Sequence, residues 1–277
     1  MGKMRYLIAL FEAEDGYEGI LLTETGIILK RETDTSEKGL IKALSSIFPI
    51  REASVCLSGE GAFPEISDKW KKRQESRGEA LIRSAFGEGD GAVLFVGKSV
   101  YAVSRKEGKM REATADWGKR RMAEEAIRRG LKGESTWLCH AMEEATGLPK
   151  AGIPDELATL PEEKRFRYAR LIRDGAVLGD MECLALVRKA LDAFYEVIRK
   201  IIKETGETMP FIIIGPAKTD MPLLEKGIQT QFPGTFSFQK AEMPPIFGSA
   251  VAAAKGYKKP PDEGFRRRFQ ETYSIYI

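Results

Sequence analysis

The histidine and cysteine complement narrows the chemistry open to this chain. His140 is the only histidine among 277 residues. Ser-His-Asp hydrolysis, HExxH zinc chemistry and multi-histidine metal sites therefore cannot be assembled. Cys56, Cys139 and Cys183 lie far apart with no CxxC pair, which argues against a disulfide framework or a structural zinc. What remains is chemistry by carboxylates, lysine, backbone dipoles or a hard cation held by oxygen. His140 itself follows Trp137, Leu138 and Cys139 and precedes Met142, and on that apolar helical stretch it reads as a packed or partly exposed histidine.

Lys and Arg number 44 against 41 Asp and Glu, a formal charge of +3. This balance exerts no overall pull toward nucleic acid or an anionic membrane. The basic clusters Lys69–Arg73, Lys119–Arg121, Arg128-Arg129 and Arg266–Arg268 are interleaved with acids and read as solvated helix faces. The apolar run Tyr6–Phe11 is too short for a signal peptide's core, and no stretch approaches a membrane span. Reduced thiols in the cytoplasm are the expectation. The apolar end Ser274-Ile-Tyr-Ile277 points to a homodimer contact.

The elements that must position any site follow from periodicity. Residues 5–32 read as a three-strand meander, split by turns at EAEDG (12–16) and Glu24-Thr25-Gly26. Ser36 caps a helix carrying Leu40, Ile41, Leu44 and Ile47. SVCLS (54–58) is the next strand, and 67–86 reads as one helix, polar first and amphipathic later. GAVLFVGKSVYAVSRKEGKMREAT (91–114) then repeats the opening meander, which points to a duplicated architecture. Helices are expected from an Asp116 cap to Arg129, over Ser135–Thr146, 161–175, 179–205 and 220–231. FIIIG (211–215) and TFSF (235–238) read as strands. A small-residue helix starts at Phe247, and the tail forms a short helix and an edge segment.

This order of parts resembles the actin/Hsp70/sugar-kinase superfamily. Within it, the chain is similar to the N-acetylglucosamine kinase and BadF-type ATPase family over nearly its whole length. The resemblance implies an α/β, two-lobed, ribonuclease H-like fold, each lobe a mixed five-stranded sheet with helices. It puts the lobes at 1–104 and 105–277, with the tail 262–277 a candidate to return to the first lobe. It implies ATP and Mg²⁺ in the inter-lobe cleft and a small-molecule substrate.

Residue by residue, the first phosphate loop of the family, D-G-G-G-T, corresponds to FEAEDG. Phe11 stands where the magnesium-orienting aspartate sits, and Glu12, Glu14 and Asp15 with Gly16 are the stand-ins, Glu14 and Asp15 for the metal. The second phosphate loop, G-T-G-S, corresponds to Gly97-Lys98-Ser99. The G-G-W-G segment corresponds to Ala115-Asp116-Trp117-Gly118, with Asp116 and Gly118 expected near the nucleotide. FIIIGPAKTDMPLL resembles the adenosine motif, with Gly215-Pro216 replacing its glycine pair, and Gly248 opens the closing small-residue helix. The catalytic acids implied are Glu79, nearest the expected position of the base, and Asp15. Two functions stay open: an ATP-dependent sugar-type kinase or ATPase, or a catalytically degenerate relative that binds a ligand or partner.

Overall fold

Strand β1 (Tyr6–Ala13) is buried from Leu7 to Phe11, so it lies inside a sheet covered on both faces. It pairs antiparallel with β2 (Gly16–Thr23), which pairs antiparallel with β3 (Ile28–Asp34). Helix α1 (Glu37–Ser45) follows; the Ser36 hydroxyl accepts the Gly39 N–H at 3.2 Å as its cap. β4 (Ala53–Ser58) returns parallel to β1, and β5 (Lys71–Glu75) lies parallel to β4 at the edge. The computed structural model describes residues 5–13, 16–34, 36–46, 50–63, 66–202, 208–215, 221–257 and 261–276, with residues 162–163 by backbone alone.

After helix α2 (Arg77–Phe86) the topology repeats. β6 (Gly91–Val96), β7 (Val100–Lys106) and β8 (Lys109–Ala115) form an antiparallel meander. β9 (Met209–Ile214) is parallel to β6, and β10 (Phe236–Gln239) is parallel to β9. The sheet orders, β3-β2-β1-β4-β5 and β8-β7-β6-β9-β10, are the same pattern twice. The two mixed five-stranded sheets and the duplication are as expected. The boundary expected at residue 104 falls inside β7; the first sheet ends at Glu75 and the second begins at Gly91.

Between β8 and β9 stand α3 (Lys119–Lys132), α4 (Thr136–Thr146), α5 (Ile153–Thr159), α6 (Glu162–Arg165), α7 (Ala169–Val177) and α8 (Met181–Ile201). They share a helical core of Leu138, Met142, Tyr168, Ile172 and Leu186. α9 (Met221–Gln231) packs on the outer face of the second sheet with the later part of α8. α10 (Ile246–Lys255) and α11 (Glu263–Tyr273) close the chain. α11 lies on the first sheet: Tyr273 Oη donates to Glu18 at 2.8 Å, and Ile28 N–H donates to the Thr272 hydroxyl at 3.1 Å.

Three expectations need correction. Residues 67–86 are not one helix, because Lys71–Glu75 form the edge strand β5. Its four exposed polar residues suit a sheet edge. The break is marked by a capping box: Ser76 Oγ accepts the Glu79 N–H, and Glu79 Oε2 accepts the Ser76 N–H, both at 3.1 Å. Asp116 caps no helix; α3 begins at Lys119 behind Gly118. The stretch 161–175 is also broken, into α6, a short 3-10 turn and α7.

One apolar cluster joins the two sheets. Phe11, Leu22 and Cys56 of the first meet Val93, Phe95 and Val103 of the second through α2 and α10. Those helices cross at Gly248, where a Cβ would fall 2.0 Å from the Ala80 carbonyl oxygen. Gly248→Ala must therefore push backbone from backbone. We expect a loss of about 1–3 kcal/mol, read as a lowered midpoint in thermal or urea unfolding; an unchanged midpoint would contradict this packing.

Candidate functional site

Parallel strands offer ligands a crevice at their carboxyl ends. In the first sheet those ends carry Glu12 (β1), the Gly59-Glu60 turn (β4) and Ser76-Arg77 (β5 into α2). In the second they carry Gly97-Lys98-Ser99 (β6) and Gly215 (β9). The two sets face each other across two adjoining cavities of about 470 and 250 Å³. Glu12, Arg77, Ser99 and Asp116 line both. Lys98 and Arg120 line the smaller; Glu60, Tyr101, Glu112 and Thr114 line the larger.

Each lining group has a local reason for its position. Glu12 Oε2 accepts the Glu60 N–H at 2.7 Å, tying the end of β1 to the turn after β4. The turn approaches so closely that a Cβ on Gly59 would meet Glu12 Oε2 at 2.4 Å, and its φ is +152°. Arg77 lays its guanidinium 4.2 Å from the centre of the Tyr101 ring, a cation–π contact between lobes. The Ser76 hydroxyl donates to Glu112 at 2.8 Å, a second inter-lobe bond. Tyr101 is only 5% exposed, and its hydroxyl lies beside the Glu112 carboxylate. Burial first, and then the nearby Glu112 carboxylate, push its pKa above the ordinary phenol value, so it is a donor at neutral pH.

The Gly97 turn serves α3. Gly97 O accepts the Lys119 N–H at 2.7 Å, and Lys98 O accepts the Arg120 N–H at 3.3 Å. These carbonyls satisfy donors that a helix start leaves open. A Cβ on Gly118 would sit 2.3 Å from both carbonyl oxygens, so glycine is required for this approach. Lys98 extends over the Phe166 ring at 5.3 Å, and Arg120 lies 3.8 Å from Asp116.

Among the residues expected at the site, Glu12, Lys98, Ser99 and Asp116 thus come together around the cavities, with Gly97 and Gly118 shaping the turn above them. Gly16 pairs with Ala13 at the neighbouring hairpin, φ +132°. Glu14 and Asp15 lie outside the described residues. Gly215, with φ +104°, fits tightly under the Val96 carbonyl. Gly248 is buried, and its N–H donates to the Ser84 hydroxyl at 2.8 Å. Glu79 is engaged as the capping-box carboxylate. His140 is exposed on α4, 3.4 Å from Glu143.

Sequence reading passed over Arg77, Tyr101 and Glu112, and also Glu75. The end of β5 brings Glu75 against Arg83, whose Nη1 donates to both carboxylate oxygens at 2.7 Å. The side chains are only 2% and 9% exposed. Glu75 also accepts the Ser58 hydroxyl at 2.9 Å, which in turn accepts from Ser249 at 2.7 Å. The S-x-x-E signature at 76–79 was the signal that would have ended β5 at Glu75.

No family model matches the sequence, and no curated protein does. Solved structures match over most of the chain. A candidate N-acetylglucosamine kinase from Chromobacterium violaceum superposes with a TM-score of 0.68 at 16% identity, covering 91% of this chain and 100% of that one. Another from Porphyromonas gingivalis gives 0.61 at 14%, covering 91% and 99%. A ROK family glucokinase from Streptomyces griseus, solved with glucose and AMPPNP, gives 0.52 at 13%, covering 90% and 98%. The chain has the two-lobed α/β fold of the actin/Hsp70/sugar-kinase superfamily. Among the described residues, no helix is long and apolar enough to cross a membrane.

Arg83→Met strands Glu75 as a buried charge. We expect about 3–5 kcal/mol of destabilisation in urea unfolding, with much of it restored by adding Glu75→Gln. Equal loss in the single and double variants would contradict the pairing.

Proposed function

We propose that the inter-lobe cleft binds ATP and that the chain is an ATP-dependent kinase or ATPase acting on a small molecule. The observation that carries this reading is the convergence of Arg77, Lys98 and Arg120 with Glu12, Asp116 and Ser99 around the smaller cavity. Three cations there suit a polyphosphate, with arginine offering a fork and lysine a point charge. The Streptomyces griseus neighbour, solved with AMPPNP, supports the nucleotide part of the reading.

Mg²⁺ takes one or two carboxylates together with phosphate oxygens and water. Glu12 and Asp116 line the same cavity and fit that sparse requirement. Among the described residues no group of three or more His, Cys, Asp or Glu stands ready to hold a metal. Mg²⁺ would neutralise phosphate charge; Arg77 and Lys98 would orient the phosphates, and transfer would depend on positioning and electrostatics. The Tyr101 hydroxyl and the Glu112 carboxylate would orient the acceptor.

A second reading is a binding protein that transfers nothing. It is favoured by one set of bonds. Glu79 caps a helix, Glu75 is neutralised by Arg83, and the first N–H groups of α3 are taken by turn carbonyls.

Calorimetric titration with Mg·ATP and Mg·ADP tests both. Binding at millimolar nucleotide or below is expected, and Arg77→Ala or Lys98→Ala should each weaken it about tenfold. Absence of binding would overturn the kinase or ATPase reading. Binding without ADP release across hexoses and amino sugars would select the second.

A further inference from the structure

Strands β7 and β8 turn one face to α8 and the other to the cleft. On the α8 face the register sets Val100 opposite Ala115, Ala102 opposite Ala113, Ser104 opposite Arg111 and Lys106 opposite Lys109. The first two pairs are covered by α8 and share a core with Val197, Ile198 and Ile201. The helix ends at Ile201, and the hairpin runs on past it. At that point the face changes from apolar to basic. Tyr101 and Glu112, which line the cleft, lie on the opposite face of the same strands.

A separate cavity of about 100 Å³ lies beyond the helix end. Ser104, Lys106, Lys109 and Arg111 line it together with the apolar Ile201 and Met209. Among the described residues it meets three cations and no carboxylate. Asp90 and Glu107, the acids of the neighbouring turns, do not line it; Asp90 accepts the Glu107 N–H at 2.9 Å. Like charges directly opposite each other on paired strands are destabilising, and Arg111 adds a third positive charge to the Lys106–Lys109 pair. The open carbonyls of a helix C-terminus favour cations, but that end of α8 is already served. The Ser104 hydroxyl donates to Ile201 O at 2.8 Å, and Arg111 Nη1 reaches Ile202 O at 3.5 Å. The helix end therefore does not account for two facing lysines.

We propose that this cavity binds a phosphate-type oxyanion, as the free ion or as the phosphate group of a small organic phosphate. Its volume is well under the roughly 300 Å³ at which ordinary ligand pockets begin, so it suits one tetrahedral group rather than a nucleotide. Arg111 offers a guanidinium fork and the lysines point charges. An anion between the lysines turns one repulsive pair into two attractive contacts. The site is independent of the kinase reading and stands whether or not the cleft takes nucleotide.

The test is an amide chemical-shift titration of the full, isotope-labelled chain. The probes are inorganic phosphate and glycerol phosphate, each at an ionic strength held constant with sodium chloride. Saturable shifts of the Ser104–Arg111 amides are expected with at least one probe, and the tighter probe identifies the source of the anion. The double variant K106Q/K109Q should weaken that binding about tenfold. Its unfolding midpoint in chloride should be unchanged or higher, because a like-charge pair has been removed. Arg77→Ala, in the cleft, should leave the hairpin shifts intact, which separates this site from the proposed nucleotide site. Shifts confined to the cleft amides around Arg77 and Gly97, or hairpin shifts that never saturate, overturn the proposal. So does a lowered midpoint of K106Q/K109Q in chloride, the sign that the lysines serve the chain's own carboxylates instead.

Discussion

The fold is tied together by one buried ion pair. Glu75 ends β5, Arg83 lies one turn from the end of α2, and the guanidinium also reaches the Gly248 carbonyl of α10 at 3.2 Å. Ser58 and Ser249 extend the network into β4 and deeper into α10. Ser84 adds bonds to the Pro244 and Pro245 carbonyls and to Gly248 N–H. Elements nearly two hundred residues apart in sequence are fixed by these few polar groups. Apolar packing alone would hold α2 and α10 together but would not set their register. A buried charge without its partner is expensive, which makes the alignment selective.

The cleft inherits its geometry from that junction. Fixing α2 places Ser76 and Arg77 at the mouth of the first lobe, where they bond Glu112 and stack on Tyr101 of the second. Fixing the end of β5 beside β4 places the turn that Glu12 caps. On the other side, Gly118 lets α3 dock on the Gly97 turn, and that contact holds Lys98, Ser99 and Asp116 around the same space. The cleft is therefore built from strand ends and helix starts, with most side chains already engaged in bonds that shape it.

Sequence made the repeated architecture readable because each meander shows its strands as apolar runs separated by glycine turns. The sheet ends also carried Glu12, Lys98, Ser99 and Asp116 to one place, as the order of parts implies. β5 was hidden because KKRQE has no apolar residue; it is a strand through its pairing with β4 and its position at the edge. Glu79 stood nearest the expected base in sequence, yet the capping box claims its carboxylate. Gly248 opens the small-residue helix, and its crossing with Ala80 is the close packing such residues allow. Tyr101 and Glu112 sit on strands with ordinary alternation, and only the closure of the two lobes brings them beside Ser76 and Arg77. Local pattern fixes elements; the site depends on contacts between elements distant in the chain.

The central claim is that the space between the Glu12 strand end and the Gly97 turn is a phosphate site. A crystal structure of the full chain with Mg·AMPPNP tests it most directly. The account predicts phosphate density in the smaller cavity, with oxygens in hydrogen-bond reach of Arg77 and Lys98. Nucleotide bound elsewhere on the molecule, with that cavity holding only solvent, would contradict it.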